Sequence, residues 1–202
     1  MIFNQIPTDD VINKTVEALK ANGIEAIVVA NQAEAKQKAL ELIPHGSEIM
    51  TMSSVTVDTI GLGAELNESG HFDSIRKKFA AMDAKTQKLE MNRLGAAMGY
   101  AIGSVHAVTQ DGQVMIASAS GSQLPAYAFA ALNVIWVVGA QKIVANLDEG
   151  MKRIYEYVLP LEDARAMKAY NMHSSVNKML VINKEAFPGR IKMILIKEIV
   201  GF

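Results

Sequence analysis

The chain has no cysteine among its 202 residues. That absence excludes disulfides, thiolate nucleophiles, zinc knuckles and cysteine-ligated iron–sulfur clusters. A surplus of either charge is also lacking: 20 Lys and Arg stand against 21 Asp and Glu, a net charge of −1. Such a balance leaves no electrostatic footprint for nucleic acid or an anionic membrane. No apolar run has the length that crosses a bilayer, and the N-terminal stretch lacks the basic-then-apolar layout of a secretory leader. A cytoplasmic protein that uses neither nucleic acid nor membrane is expected. His45, His71, His106 and His173 show no metal-ligand spacing, and GxSxG, GxGxxG and the P-loop pattern are all missing. No metal or cofactor is therefore expected. Aromatics make up only 6 % of residues, and the one tryptophan, Trp136, falls inside an apolar run and is assigned to the core.

What is present is an ordinary globular composition, half hydrophobic and one fifth charged, with twelve methionines suited to filling irregular core gaps. Thr8 and Asp9 cap a first helix with Ile12, Val16 and Leu19 on one face, ended by Gly23. Ile24–Ala30 reads as a strand, and Asn31 with Glu34 forms a capping box before a second helix. Glu48–Met52 is the next strand, and Ser53-Ser54 turns into a helix over Val55–Leu66. His71–Met98 has helical period with a break near Met82–Lys85. Ser104–Thr109 and Gln113–Ser118 flank Gln110-Asp111-Gly112, a hairpin signal because glycine accepts the positive φ of such a turn. Val134–Val138 is an apolar strand ending at Gly139. Asn146 and Glu149 open a helix from Leu147 to about Val158, which Pro160 should interrupt before Leu161–Tyr170. Lys178–Asn183 and Arg190–Ile199 read as strands, and the apolar middle of the latter suits burial on both faces.

Early strand–helix alternation predicts a parallel sheet packed between helices. The expected architecture is a three-layer α/β sandwich of one domain, 1–202. Its sheet is mixed and mainly parallel, contains the β-hairpin, and has helices on both faces.

Three strand-end loops carry the candidate chemistry, since open α/β sheets hold ligands beyond the carboxyl ends of their strands. In Thr51–Thr56, the hydroxyls of Ser53, Ser54 and Thr56 precede a helix start, where free N–H groups favour phosphate or carboxylate. Ser54 is equally suited to simple capping. In Ser118–Gln123, Ser120 and Ser122 flank Gly121, which permits close backbone approach, although such hydroxyls also satisfy a loop's own backbone. In Gly139–Lys142, Lys142 offers a point charge to an anion, or is a solvated lysine on a connection. Asp58 and Glu65, Arg76–Lys78, and Asp163 with Arg165 and Lys168 read as solvated helix faces, and His106 as a structural histidine in a strand.

The run Ser104–Thr109, then Asp111-Gly112, Gly121 and Val134–Gly139 with Lys142-Ile143-Val144, resembles the LUD (lactate-utilisation) domain family. Ser53–Leu62, Asp148–Arg153 with Pro160 and Arg165, and the ending Gly189–Lys192 to Gly201-Phe202 continue the likeness over essentially the whole chain. The resemblance implies a fold like that of ribose-5-phosphate isomerase-type isomerases and CoA transferases. In those relatives a serine/threonine-rich corner resembling Thr51–Thr56 cradles phosphate. It also implies a link to L-lactate oxidation alongside iron–sulfur partner proteins. Gly121-Ser122-Gln123 stands where close relatives often carry Gly-Asn-Arg, which removes a bidentate anion contact. Ala169–Asn183 lacks the cysteines many relatives carry, so any cluster-dependent role does not carry over.

The leading expectation is a binder of a small anionic metabolite through Ser53, Ser54, Thr56, Ser120, Gly121, Ser122 and Lys142. The second is an isomerase or CoA transferase-like enzyme, disfavoured because the three loops hold no acidic residue and Asp58 lies a turn into its helix. The third is a non-catalytic subunit or regulator of an oxidoreductase assembly. For this reading the Met-bearing Ala80–Met98 stretch would supply a homodimer or partner surface.

Overall fold

The computed structural model describes residues 3–202. Its centre is a six-stranded sheet of β1 (Glu25–Val29), β2 (Glu48–Thr51), β3 (Asp73–Ser74), β4 (Tyr100–Gly103), β7 (Asn133–Gly139) and β10 (Ile191–Ile196). The strand order is β1-β10-β7-β4-β2-β3 and every pair is parallel. The continuous apolar character of β7 and β10 follows from their position. Successive side chains point to opposite faces, so Val134, Trp136 and Val138 enter one core while Ile135 and Val137 enter the other. Helices α2 (Gln32–Glu41), α3 (Val55–Thr59) and α4 (Leu62–Glu68) supply Ala35, Ala39, Val57, Leu62 and Leu66 to the second of these cores. On the other face lie α1 (Asp9–Ala21), α5 (Ile75–Ala80), α6 (Lys88–Ala96) and a second sheet.

The hairpin forms, but in that second sheet and not in the main one. β5 (Ala107–Thr109) and β6 (Val114–Ser118) pair antiparallel around Gln110-Asp111-Gly112. β8 (Ile143–Val144) joins β5 in parallel and β9 (Lys178–Ile182) joins β6 antiparallel, giving the order β8-β5-β6-β9. Gly112 takes φ 79°, and a Cβ there would lie 2.6 Å from the Ala18 backbone of α1, so the turn fits only as glycine. The two C-terminal strands are likewise divided between sheets: β9 sits at an edge of the second and β10 inside the first. Val108, Val114, Ile116 and Ile182 of the small sheet share one buried cluster with Trp136, Met193 and Leu195 of the large one.

Three further elements differ from their sequence reading. The helix expected over Val55–Leu66 is broken into α3 and α4 at Gly61, which takes φ 66°. His71 lies outside a helix; Ser74 caps α5 by accepting from Lys77 N. Pro160 does not interrupt its helix. α7 (Leu147–Arg153) passes through a π-helical turn, Ile154–Val158, into α8 (Leu159–Tyr170). The wider turn just before the proline makes room for a residue that lacks an N–H and whose ring crowds the preceding turn. Of the two expected capping boxes only the N-cap halves form: Asn31 Oδ1 accepts from Glu34 N and Asn146 Oδ1 from Glu149 N, each at 3.0 Å, while the Glu34 carboxylate reaches back to Ala30 N. No helix among the described residues is long and apolar enough to cross a membrane.

Candidate functional site

Because the large sheet is parallel, β2, β4, β7 and β10 deliver their following segments to one edge: Met52–Ser54, Ser104–Val105, the 3-10 turn Ala140–Lys142, and Lys197–Gly201. Lys142 is drawn inward from its turn and is only 2 % exposed. Its Nζ lies 3.0 Å from Thr56 Oγ1, 3.1 Å from Ser104 Oγ and 3.2 Å from the Val105 carbonyl. Thr56 Oγ1 donates to the Val200 carbonyl at 3.3 Å. Gln141 Nε2 donates to the carbonyls of Val200 (3.0 Å) and Gly201 (3.3 Å). The C-terminal tail is thereby clamped against Thr56. Gly201, at φ 65°, is required there because a Cβ would collide with Thr56 Oγ1.

Positive groups dominate this edge. Burial, followed by repulsion from Arg153, lowers the Lys142 ammonium to about 7. Arg153 is fully buried. Its Nη1 donates to the His106 carbonyl, its guanidinium carbon lies 5.3 Å from the centroid of the Tyr157 ring, and its Nε and Nη2 have no partner. Burial lowers its pKa to about 10. His106 Nδ1 accepts from Ala117 N at 3.1 Å, which assigns its proton to Nε2. Burial and the charges of Lys142 and Arg153 hold this imidazole near 3, so it is neutral. Toward solvent, Arg76 Nε donates to the Thr51 carbonyl (2.7 Å) and its Nη2 to Ser53 Oγ (3.0 Å). Among the described residues no carboxylate pairs with Arg76, Lys142 or Arg153. No group of three His, Asp or Glu side chains converges there or elsewhere among them.

The sequence-derived candidates divide into two groups. Thr56 and Lys142 are in direct contact, and Ser53 and Ser54 precede Thr56 on the same connection. Ser54 Oγ accepts from Val57 N at 3.3 Å and so caps α3. With α3 only five residues long, its dipole adds little, and the attraction for an anion rests on Arg76 and Lys142 instead. Ser120, Gly121 and Ser122 are held locally. Gly121 N donates to Ser118 Oγ (2.8 Å), Lys178 Nζ to the Ser120 carbonyl (2.6 Å), and the Ser120 and Ser122 hydroxyls meet at 3.1 Å. This corner connects to Lys142 indirectly, through Ala117 N and the His106 ring.

Sequence reasoning missed Arg76, Ser104, Gln141 and Arg153. Arg76 looked like part of a solvated face, and only the parallel neighbour β3 brings it against the end of β2. Arg153 sits in a stretch with the charge pattern of an exposed helix, DEGMKR, so nothing in its neighbours signals burial. Surface clefts lie at both edges of the sheet. One, of about 430 Å³, borders the site through Gln141 and is otherwise lined by residues such as Phe3, Val144, Asn146 and Glu149. Another lies at the opposite edge of the sheet, between α1 and the start of β1.

Comparison with known proteins agrees with this architecture. A DUF162 family protein from Deinococcus radiodurans superposes with a TM-score of 0.53 at 11 % identity, covering 94 % of this chain and 98 % of that one. At that identity the likeness establishes the fold alone. Ribose 5-phosphate isomerase A from Neisseria gonorrhoeae gives a TM-score of 0.34 at 17 % identity, over 57 % of this chain and 54 % of that one. No curated protein matches the chain. The model of the LUD domain matches residues 12–196, nearly the full length, and the chain belongs to the LUD domain family.

Proposed function

We propose that this LUD-domain protein binds a small anionic metabolite, through its phosphate or carboxylate, at the edge where the large sheet's strands end. Such a role fits organic-acid utilisation, the lactate-related process for which the family is named. One observation carries the reading. The Ser53–Thr56 connection lies between the Arg76 guanidinium and the Lys142 ammonium, and neither cation has a carboxylate partner among the described residues. A buried cation without a counter-ion is costly, and an anion supplied from solution removes that cost. The proposed contacts are Ser53, Ser54, Thr56 and Lys142, with Ser120, Gly121 and Ser122 as the neighbouring loop that meets the far end of a longer ligand.

Thermal unfolding of the purified protein with phosphate, L-lactate, a sugar phosphate and a CoA ester tests the reading. A ligand at a hundred times its Kd adds about 2.7 kcal/mol, or roughly 5–10 °C in Tm for a chain of this size. The shift should vanish in an Arg76→Ala/Lys142→Met double variant and shrink in Ser122→Ala where the ligand reaches that corner. Absence of any anion-specific shift, or an equal shift in the double variant, refutes it.

A further inference from the structure

We infer that Ser104 and Lys142 form a serine–lysine dyad that accepts an acyl group from an ester or thioester. Three oxygens surround Lys142 Nζ. The Val105 carbonyl can only accept a hydrogen bond. Thr56 Oγ1 has its proton committed to the Val200 carbonyl, so toward Nζ it also accepts. A neutral amine has two N–H bonds and one lone pair. The two obligate acceptors take both N–H bonds, which leaves the lone pair facing Ser104 Oγ at 3.1 Å. That is the orientation in which a lysine removes a serine proton, and the separation is within reach of general-base transfer.

Access and protonation agree with this assignment. Ser104 is only half-buried whereas Lys142 is buried beneath it, so an acyl group approaching from solvent meets the hydroxyl before the amine. Burial and Arg153 keep a large fraction of Lys142 in the amine form near neutral pH. Serine–lysine pairs on other folds act in this way.

The chemistry balances without a further reagent except water. Ser104 Oγ attacks the carbonyl carbon while its proton passes to Nζ. The tetrahedral adduct collapses, the C–O or C–S bond breaks, and the leaving alcohol or thiol takes the proton from the new ammonium. Water, deprotonated in turn by Nζ, then attacks the acyl-serine, and the carboxylic acid departs as Oγ recovers its proton.

The dyad does not depend on the anion-binding reading, and the two respond oppositely to pH. Anion binding uses the ammonium and weakens above about pH 7, whereas the dyad uses the amine and strengthens there. The test is incubation of the intact protein with a fluorophosphonate, followed by mass spectrometry and peptide mapping. One adduct is expected, on Ser104, forming faster as pH rises from 6 to 8. Ser104→Ala should give none, and Lys142→Arg, which keeps the charge but provides no base, should slow labelling by about a hundredfold or more. Labelling confined to other serines, no labelling of Ser104, or a Lys142→Arg rate within threefold of wild type overturns the proposal. Should Lys142→Arg fail to fold, the wild-type profile decides, and a labelling rate flat between pH 6 and 8 overturns it.

Discussion

Replacing Lys142 by methionine should change the pH dependence of stability, and the size of the change follows from its burial. The unfolded lysine holds its proton up to its ordinary value of 10.5, the folded one only up to about 7. Between those values the unfolded chain binds more protons, so stability rises with pH. The penalty is complete below about pH 7 and gone above about 10.5. At about 1.4 kcal/mol per pH unit, the full penalty is roughly 5 kcal/mol, and about 2–3 kcal/mol of it is relieved between pH 6 and pH 9.

Methionine has a similar reach and no proton to lose. Lys142→Met leaves the Thr56, Ser104 and Val105 oxygens without their shared partner, a loss of about 1–3 kcal/mol, and none of these groups titrates in the range. All other titrations are nearly common to both proteins and largely cancel in the difference. The assay is urea unfolding of wild type and variant at pH 6, 7.5 and 9. Wild-type stability relative to the variant should climb by about 2–3 kcal/mol across the series, equivalent to about 5–10 °C in Tm. A difference that stays flat from pH 6 to 9 would refute the reasoning, because it would mean that the ammonium loses no hydration on folding.

Two further substitutions test buried charges, Arg190 at the opposite end of the large sheet and Arg153 beneath this edge. Arg190 and Glu185 form an ion pair at 2.7 Å with both side chains under 10 % exposed, and Arg190 also donates to the carbonyls of Ala126, Tyr127 and Ala131. Arg190→Ala should therefore cost about 3–5 kcal/mol, read as a lowered urea midpoint at unchanged slope. Arg153→Met removes a buried guanidinium with two unpartnered nitrogens, so despite losing its bond to the His106 carbonyl it should be neutral to stabilising by about 1–2 kcal/mol. The same variant should raise the Lys142 pKa, seen as a later onset of fluorophosphonate labelling on the pH axis.

The features that could be read in advance were those set by local chemistry. Asn31 and Asn146 cap because a short amide reaches the N–H three residues on, whatever lies elsewhere in the fold. The Gln110-Asp111-Gly112 turn and the apolar β10 followed from the same kind of rule. Which sheet the hairpin joins did not, because two strands of suitable pattern pair equally well in either, and the choice is made by the parallel contact with β8 and the edge contact with β9. Lys142 was read as either a ligand contact or a solvated lysine. It is buried because its amine has three oxygens to meet, all of them on segments 37 to 86 residues away. Pairings of that separation leave no periodic trace in a sequence.

Those long-range contacts account for the electrostatics of the edge. Hydrophobic burial on both sides of β7 fixes the start of the Ala140–Lys142 turn, so the lysine's position is set by core packing. A buried side chain of this kind is usually tolerated when a carboxylate neutralises it. Here the charge that acts on it is a second cation, Arg153, and the neighbouring imidazole is held neutral. Apolar residues of similar volume at 142 and 153 would relieve both desolvation and repulsion, so this arrangement is not the one that stability alone would choose. The groups that Lys142 does meet are hydroxyls and carbonyls, which orient an amine without protonating it as a carboxylate would. A lysine oriented in that way, with no carboxylate beside it and a half-buried serine in contact, either stays an amine or takes a proton and, as the ammonium, an anion from solution.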